Sequence, residues 1–216
     1  KVGTVGKPLQ GVVQKIAEDG EILVKGPQVM MGYWNNPEAN KESFTADGYY
    51  KTGDVGFIDE EGYLTITDRK KELLKTSGGK YVAPQPIENA FNTDPFIEQL
   101  VVVGENRKYI SALVVPNFEA LGEWAKQKNL EYRDHRELVN HPEVLKLTWE
   151  RIEKINQGLA RYEQIKKFAL TDRPFSEESG ELTPSLKLKR RVIEEKFKHL
   201  IDAMYADEDT FQSSSS

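Results

Sequence analysis

The sequence predicts an α+β protein: a small β-barrel-like subdomain followed by an α+β domain with a three-stranded sheet and helices. Three observations predict it. Residues 1–67 are short apolar runs punctuated by glycine and proline, the pattern of several short strands. Beyond residue 80, β-branched runs share the chain with segments whose apolar residues recur every three or four positions. Between them stands a charged break, Asp68-Arg69-Lys70-Lys71. The expected division is 1–68, 69–208 and a flexible tail at 209–216.

In order, Val12 to Ile16 reads as a strand, and Asp19-Gly20 as a hairpin turn into a second strand, Glu21 to Lys25. Gly26-Pro27 breaks the pattern, and Val29 to Trp34 is an apolar, aromatic patch around Gly32. Pro37 to Phe44 suits one short helix capped by Asn36. Thr52-Gly53-Asp54 reads as an acidic turn, and Glu61-Gly62 turns the chain into the strand Tyr63 to Thr67. Leu73-Leu74 is a short apolar strand, and Pro84 to Asn92 a helix with Ile87, Ala90 and Phe91 on one face. Gln99 to Val103 and Ile110 to Val115 read as a hairpin buried on at least one face, with Ile165 to Leu170 as its third strand. Helical spacing marks Phe118 to Ala125 and Val144 to Leu159. A last helix is expected from near Lys189, with Ile193, Phe197, Leu200, Ile201 and Met204 as its stripe.

Composition excludes several functions. The chain has 216 residues, 38% of them hydrophobic and 30% charged, with a net charge of −5, which argues against a general polyanion binder and against nucleic acid as a partner. It contains no cysteine, so disulfides, thiolate nucleophiles and Cys-ligated zinc are excluded, and a cytoplasmic location fits. No apolar run is long enough to span a bilayer. The start at Lys1, inside a strand-and-turn pattern, suggests a piece of something longer. His135, His141 and His199 lack metal-ligand spacing, and no metal site is expected.

Four places can carry chemistry. Asp54 sits beside a glycine, where a carboxylate accepts both hydrogens of a vicinal diol or satisfies its own turn. Arg69 presents a planar fork suited to phosphate or ribose, or pairs with Asp68 or Glu72 at the surface. Ser77-Gly78-Gly79 allows close backbone approach to a ligand, yet lacks the spacing of a nucleotide P-loop and also suits a plain turn. Lys187 lies on a Pro/Ser loop before a basic helix start, where an ammonium can stabilise a reacting carboxylate and phosphate or simply be solvated.

Together and in this order, these stretches resemble the adenylate-forming enzymes. The resemblance rests on Gly20-Glu21-Ile22-Leu23-Val24-Lys25-Gly26-Pro27 through Gly32-Tyr33, and on Tyr50-Lys51-Thr52-Gly53-Asp54. Asp68-Arg69-Lys70-Lys71-Glu72 with Ser77-Gly78-Gly79, and Pro184-Ser185-Leu186-Lys187, continue it across nearly the whole chain. Asp68 to Glu72, Val82-Ala83-Pro84 and Leu182-Thr183-Pro184 are most similar to long-chain fatty-acid–CoA ligases. One departure is shared with that subgroup: the usual Ser-Gly-Lys is Ser185-Leu186-Lys187 here.

The resemblance implies that residues 1–68 are the distal part of a large AMP-binding domain and that the rest is a mobile C-terminal lid. It implies a fatty carboxylate, ATP and coenzyme A as substrates, with AMP formed, and Mg2+ held by residues upstream. By the same resemblance Asp54 and Arg69 bind the nucleotide and Lys71 is the hinge. Ser77, Gly78 and Gly79 line the coenzyme A path, and Lys187 is catalytic. The family's phosphate loop and Tyr-Gly-x-Thr-Glu element are absent, so an upstream domain of the same polypeptide is an expected partner and this chain alone is expected to be inactive. Two alternatives stay open: an adenylating enzyme that loads a carrier protein, and a non-catalytic module with the same fold. The final helix stripe suits a core, and peripheral membrane contact is the second reading for it.

Overall fold

The computed structural model describes residues 1–212, in two compact units that divide between Leu73 and Leu74. The first unit is a four-stranded antiparallel sheet in the order β1 (Val13–Ile16), β2 (Glu21–Lys25), β3 (Tyr50–Ile58), β4 (Leu64–Arg69). Asp19-Gly20 makes the first hairpin as expected, with Gly20 at φ +84° and its N–H bonded to Ala17. Helix α1 (Pro37–Ser43) fills the β2–β3 connection, and the Asn36 side chain caps it by accepting from the Ala39 N–H.

Two register shifts curl this sheet, one between β2 and β3 and one between β3 and β4. The second explains a glycine. A Cβ at Gly56 would lie 2.2 Å from the Thr65 carbonyl oxygen, so no other residue fits there without moving the strand. The first corrects the sequence reading. Thr52-Gly53-Asp54 is not a turn between elements but a bulge within the nine-residue strand β3. Alternation is broken at that bulge, which is why the stretch reads as a turn.

Strand β4 begins one residue later than expected and runs through Asp68 and Arg69, so Arg69 is in the strand and not beyond it. A single 3-10 turn, Lys70–Glu72, follows. The apolar patch before α1 is exposed in this unit, with Met31 and Trp34 almost fully so.

The second unit opens with a small ribbon, β5 (Leu74–Lys75) and β6 (Tyr81–Val82), which places the expected Leu73-Leu74 strand one residue later. After α2 (Pro84–Asn89) comes a three-stranded sheet ordered β7 (Ile97–Val103), β8 (Ser111–Pro116), β9 (Lys167–Leu170). β7 and β8 are the expected hairpin. β9 joins β8 in parallel, because α3 (Phe118–Gln127), α4 (His135–Val139) and α5 (Pro142–Asn156) carry the chain back to the starting edge. The short α4, capped by Asp134, is a helix that the sequence pattern does not single out.

Both faces of this sheet are covered. Leu100, Val102, Ala112 and Val114 face a core with residues of α2, α3, α4 and α5. Val101, Val103, Leu113 and Val115 face Ile193, Phe197, Ile201, Met204 and Tyr205. The expected final helix is two helices, α6 (Arg190–Lys196) and α7 (Lys198–Gln212), broken at Phe197. Its apolar stripe lies in the core, as its width suggests. The expected tail overlaps the last turn of α7, and residues 213–216 lie outside the described residues. Among the described residues, no helix is long and apolar enough to cross a membrane.

Candidate active site

The bulge in β3 positions the candidate residues of the first unit. Three residues, Thr52 to Asp54, stand opposite the single Ile22 of β2. Gly53 takes φ +73°, a conformation a side chain would strain. Thr52 closes the bulge from both sides: its Oγ1 donates to the Ile22 carbonyl at 2.8 Å and accepts from the Asp54 N–H at 3.1 Å. The Glu21 side chain, 5% exposed, accepts from the Gly53 N–H at 3.0 Å. The Gly53 and Asp54 N–H groups thus both find side-chain acceptors, which fixes the shape of the bulge.

That shape places Asp54 directly across from Arg69 in the β3–β4 register. Asp54 Oδ1 lies 3.4 Å from Arg69 Nε, with the Asp54 side chain 29% and the Arg69 side chain 74% exposed. The alternative to ligand binding in the sequence reading is a surface pair of Arg69 with Asp68 or Glu72; the sheet also sets Arg69 against Asp54. Such an exposed pair holds itself together weakly, so a ligand that offers hydroxyls to the carboxylate or anionic oxygens to the guanidinium competes with it easily.

Lys70 follows, with its ammonium 2.7 Å from both Glu21 Oε2 and Asp19 Oδ2. Hydrogen bonds that Lys70 donates to Asp19 and then Glu21 raise its pKa above the ordinary lysine value and keep it charged, and Lys70 in turn lowers Asp19. One buried carboxylate thus ties the Asp54 bulge to the end of β4. Sequence reasoning misses Glu21 and Lys70. The signal was available: an acid in an otherwise apolar strand, Glu21-Ile22-Leu23-Val24, requires a cation or a polar loop beneath it. Lys71, the next residue, is exposed and lies two residues before the division of the chain into units.

The second unit holds the remaining expected residues. Ser77, Gly78 and Gly79 form the exposed turn between β5 and β6. Buried Thr76 braces it through its Oγ1, which donates to the Lys80 carbonyl and accepts the Lys80 N–H. The Ser77 N–H bonds the Arg107 carbonyl at 2.9 Å. Around Gly78 and Gly79 nothing lies within 4 Å of where a Cβ would stand, so the backbone is open to an approaching chain.

Lys187 is on a hairpin. Leu182 and Leu188 pair as an antiparallel bridge, and the Thr183 N–H bonds the Lys187 carbonyl at 2.8 Å. The Thr183 hydroxyl accepts the Lys187 N–H at 3.0 Å, which ties the lysine backbone to the opposite limb. Lys187 itself is exposed at the tip. The structure therefore brings Asp54 and Arg69 together in the first unit. It presents the glycine turn and Lys187 on two loops of the second. Among the described residues, no cluster of three His, Asp or Glu is placed to hold a metal.

The AMP-binding enzyme C-terminal domain family matches residues 71–209. This chain belongs to that family. It is 44% identical over 210 residues to a long-chain-fatty-acid–CoA ligase of Mycobacterium tuberculosis, covering 96% of this chain and 35% of that relative. It is 37% identical over 191 residues to long-chain-fatty-acid–CoA ligase 1 of Cavia porcellus, covering 87% of this chain and 27% of the relative. The chain thus spans about a third of the length of the curated relatives it matches.

Among solved structures, it is similar to the adenylation domain of a carboxylic acid reductase from Segniliparus rugosus, in complex with AMP and a co-purified carboxylic acid. There the TM-score is 0.68 at 28% identity, over 93% of this chain and 32% of that one. It is also similar to the O-succinylbenzoate coenzyme A synthetase of Bacillus subtilis, in complex with ATP and magnesium, at TM-score 0.55 and 28% identity. That match covers 88% of this chain and 35% of the other.

Proposed function

We propose that this chain is the C-terminal portion of an AMP-forming acid–thiol ligase that converts a long-chain fatty acid to its coenzyme A thioester in the cytoplasm. The observation that carries the reading is the Asp54–Arg69 pair, set on a braced bulge in a chain of the AMP-binding family. The naming of the relatives as long-chain-fatty-acid–CoA ligases supports the choice of substrates.

The reaction has two steps. In the first, a carboxylate oxygen of the fatty acid attacks the α-phosphorus of ATP, forming the acyl phosphate bond of acyl-AMP and releasing pyrophosphate. Mg2+ accompanies ATP and neutralises phosphate charge, and we place its ligands in the upstream domain. In the second, the thiol sulfur of coenzyme A attacks the acyl carbon, AMP leaves, and the thiol proton passes to solvent.

In this reading Asp54 accepts the ribose hydroxyls and Arg69 makes a second contact near the same sugar. Lys187 places its ammonium between the approaching carboxylate and phosphate oxygens, two anions whose repulsion a fixed cation reduces. Lys71 is the hinge: Lys70 is tied down by Asp19 and Glu21, and Lys71 is the first residue past that tie. The open turn at Ser77-Gly78-Gly79 lies along the pantetheine path.

The test is fatty-acid-dependent ATP–pyrophosphate exchange by the full-length protein, followed by product analysis with coenzyme A. Exchange with acyl-CoA as product is expected from the full-length protein, and no exchange from residues 1–216 alone. An acyl group found only on an added carrier protein favours the second reading, supported by the likeness to an adenylation domain solved together with its carrier domain. Absence of exchange in the full-length protein contradicts both.

A further inference from the structure

Lys187 is exposed, but the hairpin that carries it has a deeply buried foot. Glu181, the residue before the first limb, has no exposed surface. Its carboxylate accepts from Arg173 Nη2 at 2.7 Å, from Lys196 Nζ at 3.1 Å and from the Ser176 N–H at 3.3 Å. The Ser179 hydroxyl donates to it as well. The Lys189 N–H, at the end of the second limb, bonds the Glu181 carbonyl at 2.7 Å, so one residue holds both limbs. The next residue along, Arg190, donates to the Val102 carbonyl at 2.6 Å and to Glu88 at 2.8 Å. The second limb is therefore also fastened to β7 and α2.

This foot stands among apolar residues. Leu182, Phe175 and Phe197 are all buried nearby in sequence or packing, and the Arg173 guanidinium lies 5.2 Å from the Phe197 ring centroid. Burial alone would push the Glu181 carboxyl up, but Arg173, Ser179 and Lys196 together hold it well below the ordinary carboxylate range. Glu181 is a buried carboxylate whose two cations stay partly exposed. A buried charge is a costly way to fill a core position, since an apolar group of the same volume does so without desolvating it. Geometry is what such a cluster supplies in return.

There is also strain to support. Leu186, next to Lys187, takes φ +59°, a left-handed conformation unfavourable for a residue with a branched side chain, and it does so 71% exposed. At the tip the Leu186 N–H bonds the Thr183 carbonyl at 2.8 Å, which closes the turn. Such a conformation persists where the surrounding structure over-determines it, and here the Leu182–Leu188 bridge and Glu181 hold the two limbs beneath that turn.

We infer that Glu181, clamped between Arg173 and Lys196, is a positioning residue that sets the height and direction of Lys187 for acyl-AMP formation. It touches neither substrate nor nucleotide and acts only through the hairpin. The inference rests on the reading of Lys187 as the cation of the first step.

The test uses Glu181→Gln, Lys187→Ala and the double variant in the full-length protein, with both half-reactions measured separately. Misplacing a reacting group by about 1 Å costs on the order of 10²-fold, and a loss of that size is expected in the adenylation rate of Glu181→Gln. Thioester formation from preformed acyl-AMP is expected to stay within about twofold, because Lys187 has no part in it. The double variant should adenylate no more slowly than Lys187→Ala alone, since the two residues act as a unit.

Losses that add in the double variant, or an equal fall in both half-reactions, overturn the positioning role and leave Glu181 as a purely structural acid. Full adenylation by Lys187→Ala instead overturns the reading of Lys187, and with it this inference. If Glu181→Gln does not fold, Lys196→Met removes one clamp from a partly exposed position. It is expected to show the same selective loss at about threefold, the size of losing one hydrogen bond to a charged group in part. An unchanged adenylation rate in Lys196→Met counts against the clamp.

Discussion

The candidate residues of the two units are built on the same part used in two ways. In the first unit a buried glutamate, Glu21, lies under the bulge of β3 and fixes the Gly53 N–H, with Lys70 as its counter-ion. In the second, Glu181 lies under the Lys187 hairpin with Arg173 and Lys196 as counter-ions. The difference is what stands above the acid. Over Glu21 is a hydrogen-bonded sheet, and Asp54 faces Arg69 in strand register. Over Glu181 is a hairpin outside the sheet, whose tip residues are exposed. A sheet bulge suits a grip that stays the same through a reaction, whereas a hairpin tip suits a charge needed for one step only. We expect the two to fail differently.

The largest effect is expected at the hairpin. Lys187→Ala should lower fatty-acid-dependent ATP–pyrophosphate exchange on the order of 10²- to 10³-fold, the range found for removing one group aimed at developing charge. A loss below about fivefold would place the charge stabilisation elsewhere.

Next in size is the grip. Asp54→Ala should weaken AMP binding by the full-length protein about tenfold to a hundredfold, as one or two hydrogen bonds to a carboxylate are lost. Calorimetric titration with AMP measures it. Both half-reactions should suffer, because the nucleotide is held in each. A variant that binds AMP normally would leave Asp54 as a partner of Arg69 only.

The smallest effect is on stability. Because Glu181 is held well below the ordinary carboxylate range, its ion cluster stabilises the fold fully above about pH 4.5, the unfolded value. That contribution is lost as the pH falls from there toward the lowered folded value, because unfolding then takes up a proton that the folded protein does not bind. In Glu181→Gln, thermal midpoints should therefore depend less on pH between about 4.5 and 2 than in the parent. Parallel profiles would show that another group governs the acid limb.

Much of this was legible in the sequence because the signals are local. The Asn36 cap, the Asp19-Gly20 turn and the β-branched runs of β7 and β8 follow from residue chemistry over a few positions. The inward stripe of α6 and α7 was equally clear. What the sequence did not show depends on distant partners. A bulge looks like a turn until the facing strand is known, so Thr52 to Asp54 read as a turn in the sequence. The parallel pairing of β9 depends on the path of three helices, and the break at Phe197 leaves the 3.6-residue period nearly intact. The residues with the strongest local motifs, Asp54, Arg69, Gly78-Gly79 and Lys187, stand out in the sequence. Glu21, Lys70 and Arg190 do not, because their partners lie far along the chain, Glu88 and Arg190 being 102 positions apart. Glu181 has partners only 8 and 15 positions away, but the loop and helix that bring them together follow no periodic pattern.

The most direct test of the division between grip and hairpin is the second half-reaction of Lys187→Ala, started from preformed acyl-AMP and coenzyme A in the full-length protein. A rate within about twofold of the parent, beside a collapsed adenylation rate, is the predicted result. An equal collapse of both steps would contradict it, and would make Lys187 part of the same fixed site as Asp54 and Arg69.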